Sequence, residues 1–445
     1  MKKLWILGIA LLFAAFVVAC SDKDNLSPQI YVPENSLKVD SSKVEDAYDV
    51  IANQSVQYFL NQSKSSVSAE YPMRMSDVFN PQFITMSDST RNKLFYLIIR
   101  SLKTALYASR ENGCNTFSSY FVKFNSIGVD GKKIVLSGKL MVPPKNVTLK
   151  GIILVSHYTV TDDAECPSKG YQLENLLAGL GYALSFSDYI GFGYARLLPQ
   201  TFLAESISAQ SNVDMGLASY NFLKEQGYTF KNSTNDVWLT GYSQGGAIAL
   251  ATQKLIEEKY ADKFNIKKTL CGGGPYDMEE TYKAVCSGET SSLPPSLAPL
   301  VLLGMDYGYS LHLDFSKFFK GDMLKKYKEL YFSKLYTTTD ISAALKGAKI
   351  TDVFTADALN YDSKIMKGLS KYIKMSSLCD WSPKAPIWMY HSTKDDYIPF
   401  TNAENAIAGF KRNNSTATIE TDFGDHGSHV ASGVRYYMKL IDLLK

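Results

Sequence analysis

The chain has 445 residues, of which 45% are hydrophobic and 20% charged, and its formal net charge is +3. That length holds one large domain with insertions or two domains. The small, dispersed charge contains no basic block interleaved with aromatics, which argues against nucleic-acid binding.

Residues 1–20 read as a processing segment: Met1-Lys2-Lys3, an apolar run over 4–19, then Cys20 after Val17-Val18-Ala19. This is the pattern of a bacterial signal peptide ending in a lipobox, so Cys20 is expected to become a lipidated N-terminus that anchors the protein to a membrane. The apolar run is short for a spanning helix. The following Ser-Asp-Lys-Asp-Asn resembles the acidic tracts that route lipoproteins to the outer face of the outer membrane. Residues 21–40 are polar, with Pro28 and Pro33, and read as a tether.

Residues 41–116 are expected to be a helical segment packed on the core. Val44, Ala47, Tyr48, Ile51, Val56 and Phe59 give helical spacing over about 43–62, and Leu94, Phe95, Leu97, Ile98, Leu102 and Leu106 do so over 91–111. Five cysteines follow Cys20, namely Cys114, Cys166, Cys271, Cys286 and Cys379, so at least one stays unpaired. No Cys-x-x-Cys or His-x-x-x-His spacing points to a metal, and no cofactor is expected.

Regular strand and helix alternation begins near Phe117. Alternating runs over 117–126 and 134–142, with Gly128-Val129-Asp130-Gly131 between them, predict a hairpin. Strands are predicted over 151–156, 182–187, 237–240, 268–271, 386–391 and 416–421, and helices over about 168–180, 208–226, 247–260 and 430–444. The fold class is therefore α/β, a doubly wound, mostly parallel sheet with an N-terminal hairpin. Its core comprises 117–277 and 383–445. Residues 278–382 interrupt the alternation. They carry Pro294, Pro295 and Pro299, then mainly helical patterns over 310–336 and 341–372, and are expected to form a helical cap over the site.

Gly241-Tyr242-Ser243-Gln244-Gly245 lies between a buried-strand signal and a helical pattern, the context in which Gly-x-Ser-x-Gly forms a nucleophile turn. The glycines clear the space a tight strand-to-helix turn needs. His391-Ser392-Thr393-Lys394-Asp395 follows a late strand and offers Asp395 as the acid, with Asp396 beside it as an alternative. The base is expected after the last strand, where His429 is favoured and His426 is the alternative. Oxyanion donors are expected from the N–H of Gln244 and from the loop containing Tyr158 and Thr159. His157, Asp188, Tyr189 and Tyr242 are candidate cleft residues. Gly272-Gly273-Gly274 reads as a close backbone approach and not as a phosphate cradle.

Together these residues resemble the α/β-hydrolase superfamily. Gly-Tyr-Ser-Gln-Gly-Gly at 241–246 is similar to the nucleophile turn of the secretory lipase family. Ser-Asp-Tyr-Ile-Gly-Phe-Gly at 187–193 resembles its Pro-Asp-Tyr-x-Gly loop, with Ser187 in place of proline. Gly273-Gly274-Pro275-Tyr276-Asp277 and the insertion after it also fit. The resemblance runs in blocks over 117–445 and implies a carboxylic-ester hydrolase of the lipase or esterase type, acting on a small-molecule or lipid ester. Two other readings stand beside it. One is a serine peptidase of the same fold, with Glu279-Glu280 to capture an amine. The other is a catalytically inactive surface protein that binds a glycan or lipid.

Overall fold

A computed structural model describes residues 32–55, 57, 90–232, 235–290, 293–415, 417–421 and 428–445. The signal segment with Cys20, most of the expected tether, and His426 lie outside the described residues. Nine strands form one sheet: β1 (Lys38–Asp46), β2 (Thr116–Ile127), β3 (Lys133–Val142), β4 (Ile152–Ser156), β5 (Ala183–Ser187), β6 (Asp236–Tyr242), β7 (Asn265–Gly272), β8 (Ile387–His391) and β9 (Ala417–Thr421). Their order is β1-β2-β3-β5-β4-β6-β7-β8-β9. The predicted hairpin is β2–β3. Strand β1 also pairs antiparallel with β2, and β5 with β3. From β5 through β4 to β9 every pairing is parallel. Strands β4, β5 and β8 are buried throughout their lengths, as parallel strands covered on both faces must be.

Eleven α-helices surround the sheet among the described residues: α1 (Thr90–Glu111), α2 (Glu205–Glu225), α3 (Gln244–Lys259), α4 (Met278–Ser287), α5 (Ala298–Gly308), α6 (Gly321–Tyr327), α7 (Thr338–Ala344), α8 (Ile350–Val353), α9 (Lys364–Met375), α10 (Thr401–Arg412) and α11 (His429–Leu444). One face of the sheet is covered by an apolar layer that includes Val213 of α2, Leu250 of α3 and Phe410 of α10. The opposite layer includes Leu102 of α1, Leu177, and Tyr436 and Leu440 of α11. Helices on both faces of a mostly parallel sheet are the doubly wound architecture expected from the alternation.

The structure corrects the reading at the N-terminal end. Residues 38–46 are a strand, where the tether was expected to reach residue 40 and a helix to span about 43–62. The strand pairs along β2, and all of its residues are exposed except Glu45, which is half-buried. Val44 is 72% exposed, so it does not belong to an apolar helical stripe. The sequence Lys-Val-Asp-Ser-Ser-Lys-Val-Glu-Asp suits a sheet edge, where charged side chains discourage further strand pairing. Helical backbone is present at 47–55 and 57 among the described residues of the expected span, and within it Asp49–Gln54 is of the wide π type.

The expected helix over 168–180 is a 3₁₀ helix at Leu173–Leu180. Helix α10, absent from the sequence reading, connects β8 to β9. Its buried Ala403, Ala406, Ile407 and Phe410 show the spacing that would have marked it. The stretch between β7 and β8 is built mainly of short helices around its own apolar cluster. It also contains α5, which begins ahead of the expected helical run. All five cysteines among the described residues are free thiols.

Candidate active site

The turn after β6 is built on two glycines with no room for a side chain. A Cβ at Gly241 would lie 2.3 Å from the Gly245 carbonyl oxygen, and one at Gly245 would lie 2.1 Å from the Ser156 carbonyl oxygen. Between them Ser243 adopts φ 58° and ψ −125°, a conformation that side-chain-bearing residues rarely take. The strain is held by flanking backbone bonds. The Ser243 N–H donates to Gly272 O at 2.9 Å, and the Gly246 N–H donates to Ser243 O at 2.9 Å. Helix α3 starts at the next residue, so Gln244 N–H is one of the amides a helix leaves without an internal partner.

His429 is the first residue of α11. Its Nε2 lies 2.9 Å from Ser243 Oγ, and its Nδ1 lies 2.8 Å and 3.0 Å from the two carboxylate oxygens of Asp395. A carboxylate only accepts, so Nδ1 carries the proton and Nε2 is left to accept from the serine hydroxyl. The Asp395 side chain is fully buried. Its Oδ1 also accepts the N–H groups of Tyr397 and Ile398, each at 2.9 Å. Burial pushes its carboxyl upward, but His429, then His391 and the Ile398 amide, outweigh this and hold it below the usual range.

Three further groups fix His429. Asp396 Oδ1 accepts its backbone N–H at 2.9 Å, so the alternative acid holds the helix start and Asp395 holds the ring. Tyr242 Oη donates to the His429 carbonyl at 2.7 Å, and its ring lies 5.0 Å from the imidazole. Tyr397 stacks on the imidazole at 5.0 Å and an interplanar angle of 20°. Neither the stacking role of Tyr397 nor the capping role of Asp396 was read from the sequence. Both sit in the 391–399 stretch that was singled out for its acid.

Ser243, Gln244, Thr159, Tyr397 and His429 border an open cavity of about 650 Å³, the solvent at its mouth included. Its far walls are apolar. Phe202 and Leu203 come from the loop before α2, Met278, Tyr282 and Val285 from α4, Ala298 and Val301 from α5, and Phe354 follows α8. None of the described residues lining it is an aspartate, glutamate, lysine or arginine.

The four candidate cleft residues do not border this cavity and belong to a buried frame beside it. His157 stacks on Tyr189 at 4.1 Å and donates from Nδ1 to the Tyr158 carbonyl at 2.7 Å. Burial pushes its imidazole below the usual value, which favours the neutral ring. Asp188 accepts from Ser137 Oγ at 2.6 Å and from the Ser168 N–H at 2.8 Å. Tyr242 braces His429, as described. Of the two candidate oxyanion-loop residues, Thr159 borders the cavity, whereas the Tyr158 side chain packs on Val160, Cys166 and Phe192.

The secretory lipase family model matches residues 169–434, more than half of the chain. The chain belongs to the secretory lipase family. Among curated relatives of this family member, the secreted triacylglycerol lipase LIP5 of Malassezia furfur is 23% identical over 54% of this chain and 62% of its own length. The match thus spans about three fifths of that relative. LIP5 of Malassezia globosa is 24% identical over 72% of this chain and 68% of its own length. Among solved structures, the rice cell wall degrading esterase LipA of Xanthomonas oryzae superposes with a TM-score of 0.64 at 22% identity, covering 78% of this chain and 93% of that one. Candida antarctica lipase A gives a TM-score of 0.52 at 17% identity, covering 72% and 74%. At these identities the likeness shows the shared fold, which is the α/β-hydrolase fold.

Proposed function

We propose that this secretory lipase family member hydrolyses carboxylic esters through an acyl-enzyme. The observation that carries the reading is the continuous chain of hydrogen bonds Asp395–His429–Ser243 at the mouth of an apolar cavity. Ser243 Oγ attacks the ester carbonyl carbon as His429 Nε2 takes its proton. Asp395 keeps the imidazole in the required tautomer and stabilises the imidazolium. The oxyanion is received by the Gln244 N–H and by the backbone of the loop at Thr159, where losing one donor costs roughly 3 kcal/mol. Collapse expels the alcohol, which takes the proton from Nε2. Water, activated by the same histidine, then releases the acid and restores Ser243.

The substrate class follows from the walls. A lining without carboxylates or ammonium groups suits an acyl chain, so a small-molecule or lipid ester is the proposed substrate. The residues of 278–382 that border the cavity act as its cap. The peptidase reading needs an amine-capturing acid at the cleft. Neither Glu279 nor Glu280 borders the cavity, and Glu279 is engaged with Lys283 at 2.9 Å and Lys374 at 3.5 Å.

The test is labelling with a fluorophosphonate probe, beside turnover of esters of increasing acyl length. Labelling is expected in the wild type, absent in Ser243→Ala, and strongly reduced in His429→Ala but not in His426→Ala. A wild type that is neither labelled nor active on any ester overturns the reading in favour of the binding-protein alternative.

We further propose that the protein is an envelope lipoprotein, tethered to the outer membrane by lipid on Cys20. The support is the apolar run over 4–19 ending at Cys20, followed by a largely polar stretch to about 37. Among the described residues no helix is long and apolar enough to cross a membrane. Cys20→Ser is expected to move the protein out of the membrane fraction. Unchanged fractionation would overturn the tether.

A further inference from the structure

The loop after β4 brings Thr159 to the cavity, and the helical insertion grips that loop two residues further on. Thr161 Oγ1 donates to the Tyr336 carbonyl at 2.7 Å, and the Asp163 N–H donates to the Lys334 carbonyl at 2.9 Å. Both carbonyls belong to the short link between residues 328–332, which form a wide helical turn, and α7. Thr161 is fully buried, so its hydroxyl has to be satisfied by a protein partner.

Lys334 shows that the grip is built. Its φ is 59°, in the left-handed region that side-chain-bearing residues enter uncommonly. Its side chain turns inward: Lys334 is 1% exposed, whereas the next residue, Leu335, is 67% exposed. The ammonium lies 4.9 Å over the Phe192 ring and makes no hydrogen bond among the described residues. Phe192 forms a small cluster with Val160 and Cys166, both on the gripped loop. Asp163 ties the same loop to the next one, since its Oδ1 accepts the Gly193 N–H at 2.6 Å and its Oδ2 meets Lys169. Burying an ammonium without a hydrogen-bond partner is costly, and the attraction of the Asp163 carboxylate on the gripped loop offsets part of that cost.

We propose that residues 334–336 are a latch through which the insertion sets the position of the Thr159 loop, with Thr161 as the positioning residue. The inference rests on the oxyanion role proposed for that loop. The insertion that walls the acyl cavity and the loop that receives the oxyanion are then one mechanical unit. Displacing the insertion at 334–336 removes two hydrogen bonds and the Phe192 contact together, and loosens the donor.

The test compares the full chain with Thr161→Val, which keeps the shape and removes the donor, Thr161→Ser, which restores a hydroxyl, and Lys334→Ala, which removes the anchor and leaves Thr161 intact. Three readouts are followed: the acylation rate with a short soluble ester, the fluorophosphonate labelling rate, and backbone amide exchange. Thr161→Val is expected to slow acylation and labelling about tenfold with KM within twofold, with faster exchange confined to 158–166 and 333–337. Thr161→Ser recovers most of the rate, and Lys334→Ala reproduces the exchange change with a smaller rate loss. Should Thr161→Val not fold, Lys334→Ala decides. Variants that only lower the melting temperature, with acylation within twofold of wild type or exchange unchanged in 158–166, overturn the latch. Failure of the ester-hydrolase reading is separate, because it shows as an unlabelled wild type.

Discussion

Asp396 accepts the backbone N–H of His429 at 2.9 Å, while its neighbour Asp395 meets the ring of the same histidine at 2.8 Å. Two adjacent carboxylates thereby hold one histidine in different ways. Asp395 orients the imidazole, and Asp396 fixes the start of the helix that carries it. Their substitution should separate these effects. Asp395→Asn is expected to lower kcat by about 10³ to 10⁴ with little change in KM, since the tautomer is lost. Asp396→Asn should lower kcat by less than Asp395→Asn. It should also cost about 0.5 kcal/mol of stability through the lost charge at the helix start, because the amide oxygen can still accept the His429 N–H. Steady-state kinetics and thermal melts of both variants check this. Equal losses of kcat would contradict the division.

The glycines of the nucleophile turn differ sharply from Gly368. A Cβ at Gly245 would sit 2.1 Å from the Ser156 carbonyl, and backbone cannot move aside cheaply. Gly245→Ala is therefore expected to destabilise by about 4 kcal/mol or more, or to abolish soluble expression. Gly368, in α9, has nothing within 4 Å of its would-be Cβ. Gly368→Ala should stabilise by about 0.5 to 1 kcal/mol through helix propensity. Chemical denaturation of the two variants is the measurement, and opposite signs are the expected outcome.

Glu205 opens α2, is 2% exposed, and neither carboxylate oxygen has a hydrogen-bond partner among the described residues. Burial raises its carboxyl well above the ordinary value, which favours the neutral acid in the fold. The unfolded chain ionises it near pH 4 to 5, and above that range the unfolded state releases a proton that the folded state keeps. Stability is thus full below the unfolded value and declines by about 1.4 kcal/mol per pH unit until the folded value is passed. Glu205→Gln should match wild type at pH 4 and melt higher at pH 7 to 8. A pH-independent difference between the two would refute this account.

Val301 of α5 borders the cavity and is 8% exposed. Val301→Trp fills space without replacing any of the hydrogen-bonded residues at Ser243. The expected result is a loss of at least tenfold in kcat/KM for long acyl esters, with acetate esters within threefold of wild type. An ester series read before and after the change checks whether this cavity holds the acyl chain.

Much of this protein was legible in its sequence because the signals are local. Gly241 to Gly245 between a buried strand and a helix marks the turn, since only glycine clears the backbone there. The alternation of strand and helix from Phe117 onward marks a doubly wound sheet, because each period reports which face is buried. The order Ser243, Asp395, His429 is likewise readable along the chain. Tertiary structure decided what depends on contacts between distant residues. Residues 38–46 divide by local pattern into tether and helix but form one edge strand, because β2 offers an unpaired edge that outweighs weak local preference. The meeting of His429 with Ser243 and Asp395 across 186 and 34 residues, the stacking of Tyr397, and the inward turn of Lys334 against the Thr159 loop have no local signature. They arise where loops at the carboxyl ends of parallel strands converge, and only the folded sheet brings those ends together.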